Sequence, residues 1–398
     1  MRFIALLFAL LLASCGEVVK PSDEEYELYY NHLLLKAYFF KPERIKPFSE
    51  YEGMEIDEMY RSLGDYFRGA RYTYYLPPTK ADDKISELEN TPKYLSFGFE
   101  RILIGDTLLV VSQVYPISPA AAAGLKKHDT LLFANGVSLT GKNAVLYKNS
   151  DSKFDSSTTF RVSRGEDIFM EKAEIQNPTV YLDSLDGIPY ITVTQYKPYT
   201  NNPDGTYAEF KEILQKIKNA PTAIMDLRNN PGGHITHCTK MAAELVPFDS
   251  ELIVDVTHYY DKGKGNVIDT VHYFVSDFLE REGDGVNIHW TILINGRSAS
   301  CAERFVAAVK YNRPETVIAG EKSVGKGVGQ MYAKTYLGGL AYITCMQSYY
   351  PNGETFHEVG IVPNNQDASV LTKSLPKHKT EEPVEFGMYE YRSLHQWE

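Results

Sequence analysis

Apolar positions along the chain change their spacing in four steps. Residues 3–13 form one apolar run behind Arg2, too short to cross a bilayer as a mature helix and of the length of a signal-peptide core. Between Tyr26 and Phe67 the spacing turns helical, with Tyr29, Leu33, Leu34, Ala37 and Phe40 near one stripe. From about Pro92 to Glu174 it shortens to β-type runs: residues 108–111 and 131–134 read as strands, 119–125 as a short helix opened by Ser118-Pro119, and Asn135-Gly136 as a turn. Beyond Tyr181, strand-like runs at 188–193, 222–227, 290–294 and 316–319 alternate with amphipathic helical patterns at 207–217 and 303–311. Alternation of that kind predicts an α/β layer architecture.

A chain of 398 residues exceeds one ordinary core, so several modules are expected. The pattern divides it into a signal peptide (1–14), a polar tether (15–25), a small N-terminal helical domain (26–90), a mixed module (91–176), an α/β core (177–369) and a tail (370–398). The 43% hydrophobic and 23% charged composition is that of a globular protein. A net charge of −11, with no basic run interleaved with aromatics, argues against a nucleic-acid partner. Beyond Cys15 three cysteines remain, Cys238, Cys301 and Cys345; an odd number cannot complete a disulfide framework, and no C-x-x-C spacing suggests a metal. No cofactor is implied.

Three resemblances add chemistry to this frame. Leu12-Ala13-Ser14-Cys15 resembles the bacterial lipobox, which implies lipidation of Cys15, attachment to the membrane through acyl chains and no transmembrane helix in the mature chain. An exported lipoprotein on the periplasmic side of the envelope, attached to the outer membrane, is the expectation. Ser96-Phe97-Gly98-Phe99, followed by Ser118-Pro119-Ala120-Ala121-Ala122-Ala123-Gly124-Leu125 and Asp129-Thr130-Leu131-Leu132, resembles a PDZ domain of the bacterial protease type. Its glycine loop implies backbone N–H groups converging on a peptide's terminal carboxylate, while the peptide adds as a strand to the sheet edge. His128 stands where such domains commonly have glycine, in a turn that calls for positive φ.

In the core, Asp226-Leu227-Arg228-Asn229-Asn230-Pro231-Gly232-Gly233, Ser298-Ala299-Ser300-Cys301-Ala302-Glu303 and Gly320-Glu321-Lys322-Ser323-Val324-Gly325-Lys326-Gly327 resemble, in that order, the carboxyl-terminal processing (tail-specific) proteases. The resemblance implies a PDZ domain joined to a crotonase-like core, with Ser300 as nucleophile, Lys326 as general base and Gln330 orienting the lysine. Substrates would be proteins or peptides with free C-termini. A lysine can deprotonate serine only when neutral, and free lysine titrates near ~10.4, so the site must desolvate it. Glutamine can position the amine without adding the negative charge that would raise its pKa. Oxyanion donors are expected from the Cys301 N–H at a helix N-terminus and from Gly232 or Gly233.

Other readings stand beside these. Ser300 with Glu303 is also a capping box, S-x-x-E. Ser298 competes as nucleophile, and His234 or His237 as base in a Ser-His variant. An inactive scaffold that keeps the peptide groove is the non-enzymatic alternative.

Overall fold

The computed structural model describes residues 22–63, 72–148 and 151–365. The expected signal peptide, the lipidation site expected at Cys15 and the 370–398 tail lie outside the described residues. Two compact units divide the chain: one joins Met1–Lys84, Asp255–Val271 and Val328–Gln347, the other Ile85–Val254, His272–Gly327 and Ser348–Glu398.

In the second unit, β1 (Val180–Leu185), β2 (Ile188–Val193), β3 (Thr222–Asp226), β4 (His289–Ile294) and β5 (Val317–Gly320) lie side by side in that order. β1 and β2 pair antiparallel across a tight turn at Asp186-Gly187, both residues at positive φ. From β2 onward the pairs are parallel. Parallel neighbours need crossovers, and α1 (Gly205–Ile217), α2 (Ile235–Ala243) and α3 (Cys301–Asn312) lie in those connections. Met225 and Ile292 of the sheet bury with Phe210, Leu214, Met241 and Phe305 of the helices in one core. This is the mixed α/β architecture that the alternation predicts.

The same unit holds a second, antiparallel sheet in the order Phe99–Ile104, Leu108–Val114, Thr130–Ala134, Ser157–Val162, Asp167–Glu171. Phe99–Ile104 is therefore an edge strand. Phe97, Phe99, Phe154 and Phe160 form its aromatic core. Ser118 caps the short helix Pro119–Ala122 by accepting the Ala121 N–H, and His128 takes the positive φ (+72°) its turn demands.

In the first unit, helix Asp23–Tyr38 begins with a Ser22/Glu25 capping box and packs Leu35 and Phe39 with Met59, Tyr60, Ala341 and Ile343. Strand Leu340–Tyr349 pairs with both Tyr74–Leu76 and Val328–Lys334. The helical pattern announced the helices of this unit; its sheet, assembled from segments far apart in sequence, carried no local signal.

Candidate active site

Ser300 sits at the N-cap of α3 with φ +55° and ψ −116°. A non-glycine residue rarely adopts that conformation, and it persists only where surrounding bonds impose it. Three do so here. The Ser300 N–H donates to Glu303 Oε2 (2.9 Å), the Arg304 N–H to the Ser300 carbonyl (2.8 Å), and the Ala299 N–H to the Asn230 carbonyl (2.9 Å). The Ser300 side chain forms no cap hydrogen bond in α3.

Ser298 differs. It is fully buried, donates to the Leu227 carbonyl (2.8 Å) and accepts the Asn295 N–H (3.0 Å). Its hydroxyl holds two loops together and is not offered to a substrate.

Glu303 is the hub of the site and was read from sequence only as a cap. Buried to 1% exposure, its Oε1 accepts from Ser323 Oγ (2.6 Å) and the Gly325 N–H (2.5 Å), and its Oε2 from the Ser300 and Lys326 N–H groups (2.9 and 2.7 Å). Burial pushes its carboxyl upward while these donors pull the other way. One carboxylate thus fixes the serine and lysine backbones together. Each such bond to a charged group contributes about 1.5–3 kcal/mol. The S-x-x-E spacing signalled the Ser300 contact; nothing local signalled the other three.

Lys326 is partly buried, close to the Cys301 thiol, whose pKa burial and then the Cys238 contact push well up. The flanking glycines have no room for a side chain: a Cβ on Gly325 would lie 3.0 Å from the Gly360 nitrogen, and one on Gly327 2.9 Å from His357 Cβ. Both allow the close backbone packing expected of them.

The two oxyanion glycines separate clearly. Gly232, at φ +103°, presses on the nucleophile, since a Cβ there would stand 2.7 Å from Ser300 Cβ. Its N–H is already spent on Asn230 Oδ1 (2.9 Å), so Gly232 is corrected from candidate donor to close-packing residue. Gly233 is exposed, and its neighbours' bonds, Tyr196 N–H to Gly232 carbonyl and His234 N–H to Tyr196 carbonyl, leave its own N–H directed away from Tyr196. Cys301 is buried, with Sγ 3.2 Å from the Gly233 carbonyl and 2.6 Å from Cys238 Sγ; it packs beneath the loop, as does Cys238. Cys345 is only partly buried.

The two histidine rings pack edge to face, their centroids 5.3 Å apart. His237 Nδ1 accepts the Tyr207 N–H (3.1 Å), and burial, then His234 and Lys240, push its pKa down to about 4. Burial lowers His234 as well. Gln330 belongs to the other compact unit, where its amide donates to the Val328 carbonyl (3.5 Å) and Thr344 Oγ1 (3.3 Å).

The glycine loop of residues 96–99 needs a correction too. All four residues are buried; the Phe97 N–H donates to Asp151 Oδ2 (3.2 Å) and the Gly98 N–H to Ser96 Oγ (3.0 Å). Two amides expected to receive a peptide carboxylate are already bonded within the chain. Among the described residues, no group of three or more His, Cys, Asp or Glu could hold a metal ion.

Fold and site together define a mixed α/β protein with a strained serine at a helix N-terminus, a lysine loop bound to the same carboxylate and an adjacent glycine loop. Residues 187–366 match the family model "Peptidase family S41", and that part of the chain is similar to the family. It is 29% identical over 332 residues to a probable CtpA-like serine protease of Staphylococcus aureus (strain bovine RF122 / ET3-1), covering 82% of this chain and 60% of the relative's length. The chain thus matches less than two thirds of that relative. A probable CtpA-like serine protease of Staphylococcus haemolyticus (strain JCSC1435) is 25% identical over 407 aligned positions, 97% of this chain and 76% of that one. A putative S41 protease from Bacteroides fragilis NCTC 9343 shares the fold, with TM-score 0.50 at 14% identity over 96% of this chain and 99% of that one.

Proposed function

We propose that this chain is a serine endopeptidase in which Ser300 attacks the scissile carbonyl and Lys326 is the general base. The observation that carries the reading is the Glu303 carboxylate, which binds the backbones of both residues while leaving the serine hydroxyl outside its network. A neutral lysine amine takes the serine proton as the Oγ–C bond forms, then delivers it to the leaving amine as the peptide bond breaks. The Gly233 and Cys301 N–H groups supply the two donors for the oxyanion. Water then hydrolyses the acyl-enzyme by the reverse proton path.

The module at 91–176 is, on this reading, a PDZ-like domain that captures substrate by strand addition to the edge Phe99–Ile104. Ile102 and Leu146, 51% and 61% exposed, would supply apolar contacts. The chain is proposed to work as an exported lipoprotein anchored through Cys15.

Cleavage of an unfolded protein substrate by the purified chain tests the catalytic reading. Loss of turnover in both Ser300→Ala and Lys326→Ala supports it, and Gln330→Ala tests the orienting role that the resemblance implies. Turnover that survives Lys326→Ala but not His234→Ala or His237→Ala would turn the assignment to the Ser-His variant. A native chain with no cleavage but with peptide binding would favour the scaffold.

A further inference from the structure

The loop of residues 96–99 is built as an anion seat, and it is filled. Asp151 Oδ2 accepts from Ser96 Oγ (2.5 Å) and from the Phe97 N–H (3.2 Å), while Asp151 Oδ1 pairs with Arg101 Nη1 (2.7 Å). A hydroxyl, a backbone N–H and a guanidinium around one carboxylate are the donors that recognise a peptide's C-terminus. The seat is not a surface accident. The Arg101 side chain is 4% exposed, lies over the Phe99 and Phe154 rings, and donates through Nε to the Tyr147 carbonyl (2.6 Å). Its Nη2 is buried and has no hydrogen-bond partner. Asp151 is held in turn by its backbone, whose carbonyl accepts from Lys172 Nζ (2.7 Å).

We infer that Asp151 is the specificity-determining residue of this module: its carboxylate stands in for a ligand's terminal carboxylate, so the native module takes extended segments by strand addition without reading a free C-terminus. This rests on the peptide-binding reading of the module and refines it. Removing Asp151 would leave Ser96, the Phe97 N–H and the buried Arg101 charge without their anion. A buried guanidinium without a counter-charge is costly, and a peptide's α-carboxylate restores the pairing.

The test is binding of one short, apolar-ended, fluorescently labelled peptide, as free acid and as C-terminal amide, to the full chain carrying Ser300→Ala to prevent cleavage. In that background both forms should bind equally. With Asp151→Ala added, the free acid should gain about tenfold while the amide does not. Asp151→Asn, which keeps the hydrogen-bonding shape, should gain less and serves if the alanine variant fails to fold. A tenfold or greater preference for the free acid with Asp151 in place would overturn the inference, as would a folded Asp151→Ala variant that shows no new preference. If neither form binds any variant, the peptide-binding reading of the module itself fails, separately from the role of Asp151.

Discussion

Two carboxylates in this chain, Glu303 buried and Asp151 half-buried, have similar company and opposite consequences. Glu303 in the core and Asp151 in the module each accept a serine hydroxyl; Glu303 also accepts the Ser300, Gly325 and Lys326 N–H groups, Asp151 the Phe97 N–H alone. Glu303 draws its donors from the Ser300 turn and the 323–326 loop, and on the proposed reading leaves the Gly233 and Cys301 amides beside Ser300 for an oxyanion. Asp151 takes the Ser96 hydroxyl and the Phe97 N–H of a distant loop and pairs with Arg101. What separates a scaffold carboxylate from an occupant is therefore not its burial or its bonds but which neighbouring donors it leaves unspent.

The comparison can be broken most forcefully at the serine. Ser300→Ala should cut kcat by about 10⁶, measured as cleavage against a blank, since residues of such a unit cost nearly the whole effect singly. Glu303→Gln should come next, lowering kcat by roughly 10²–10³ and reducing Tm. Its amide nitrogen cannot accept the N–H groups that one carboxylate oxygen accepts now, and unsatisfied buried donors cost about 1–3 kcal/mol each. An Asp151→Asn variant that lost as much activity would erase the distinction between the two carboxylates. Gly232→Ala should reduce kcat by about 10²-fold with little change in KM, because the added methyl meets Ser300 Cβ at 2.7 Å.

Smaller effects sharpen the picture. Ser298→Ala should destabilise the fold by about 1–2 kcal/mol in denaturant melts while turnover persists. The lowered pKa of His237 makes a pH prediction: the unfolded chain binds the proton near the ordinary 6.5, the folded chain only near 4. Its contribution to stability is thus complete above 6.5 and is lost as pH falls from 6.5 toward 4. His237→Phe should flatten that part of a Tm-against-pH curve.

The core was legible in the sequence because its signals are local. Residues 188–193 form a strand as read, and the apolar spacing at 207–217 and 303–311 marked helices that run Gly205–Ile217 and Cys301–Asn312. Glycine punctuation likewise located the loop that closes on Ser300. Three features were not legible. The sheet containing Leu340–Tyr349 pairs segments hundreds of residues apart, such as Tyr74 with Tyr342, and periodicity carries no information about partners. The choice between Gly232 and Gly233 depends on the Asn230 side chain, which faces back on its own loop. Asp151 reaches Ser96 from 55 residues away, and no spacing rule places a lone aspartate in a distant glycine loop.

Mass-spectrometric mapping of a fluorophosphonate adduct on the purified chain identifies the nucleophile and its base. One adduct is expected, on Ser300, lost in Lys326→Ala at neutral pH and persisting in His237→Ala. An adduct on Ser298, or one on Ser300 that forms equally fast without Lys326, would contradict that expectation.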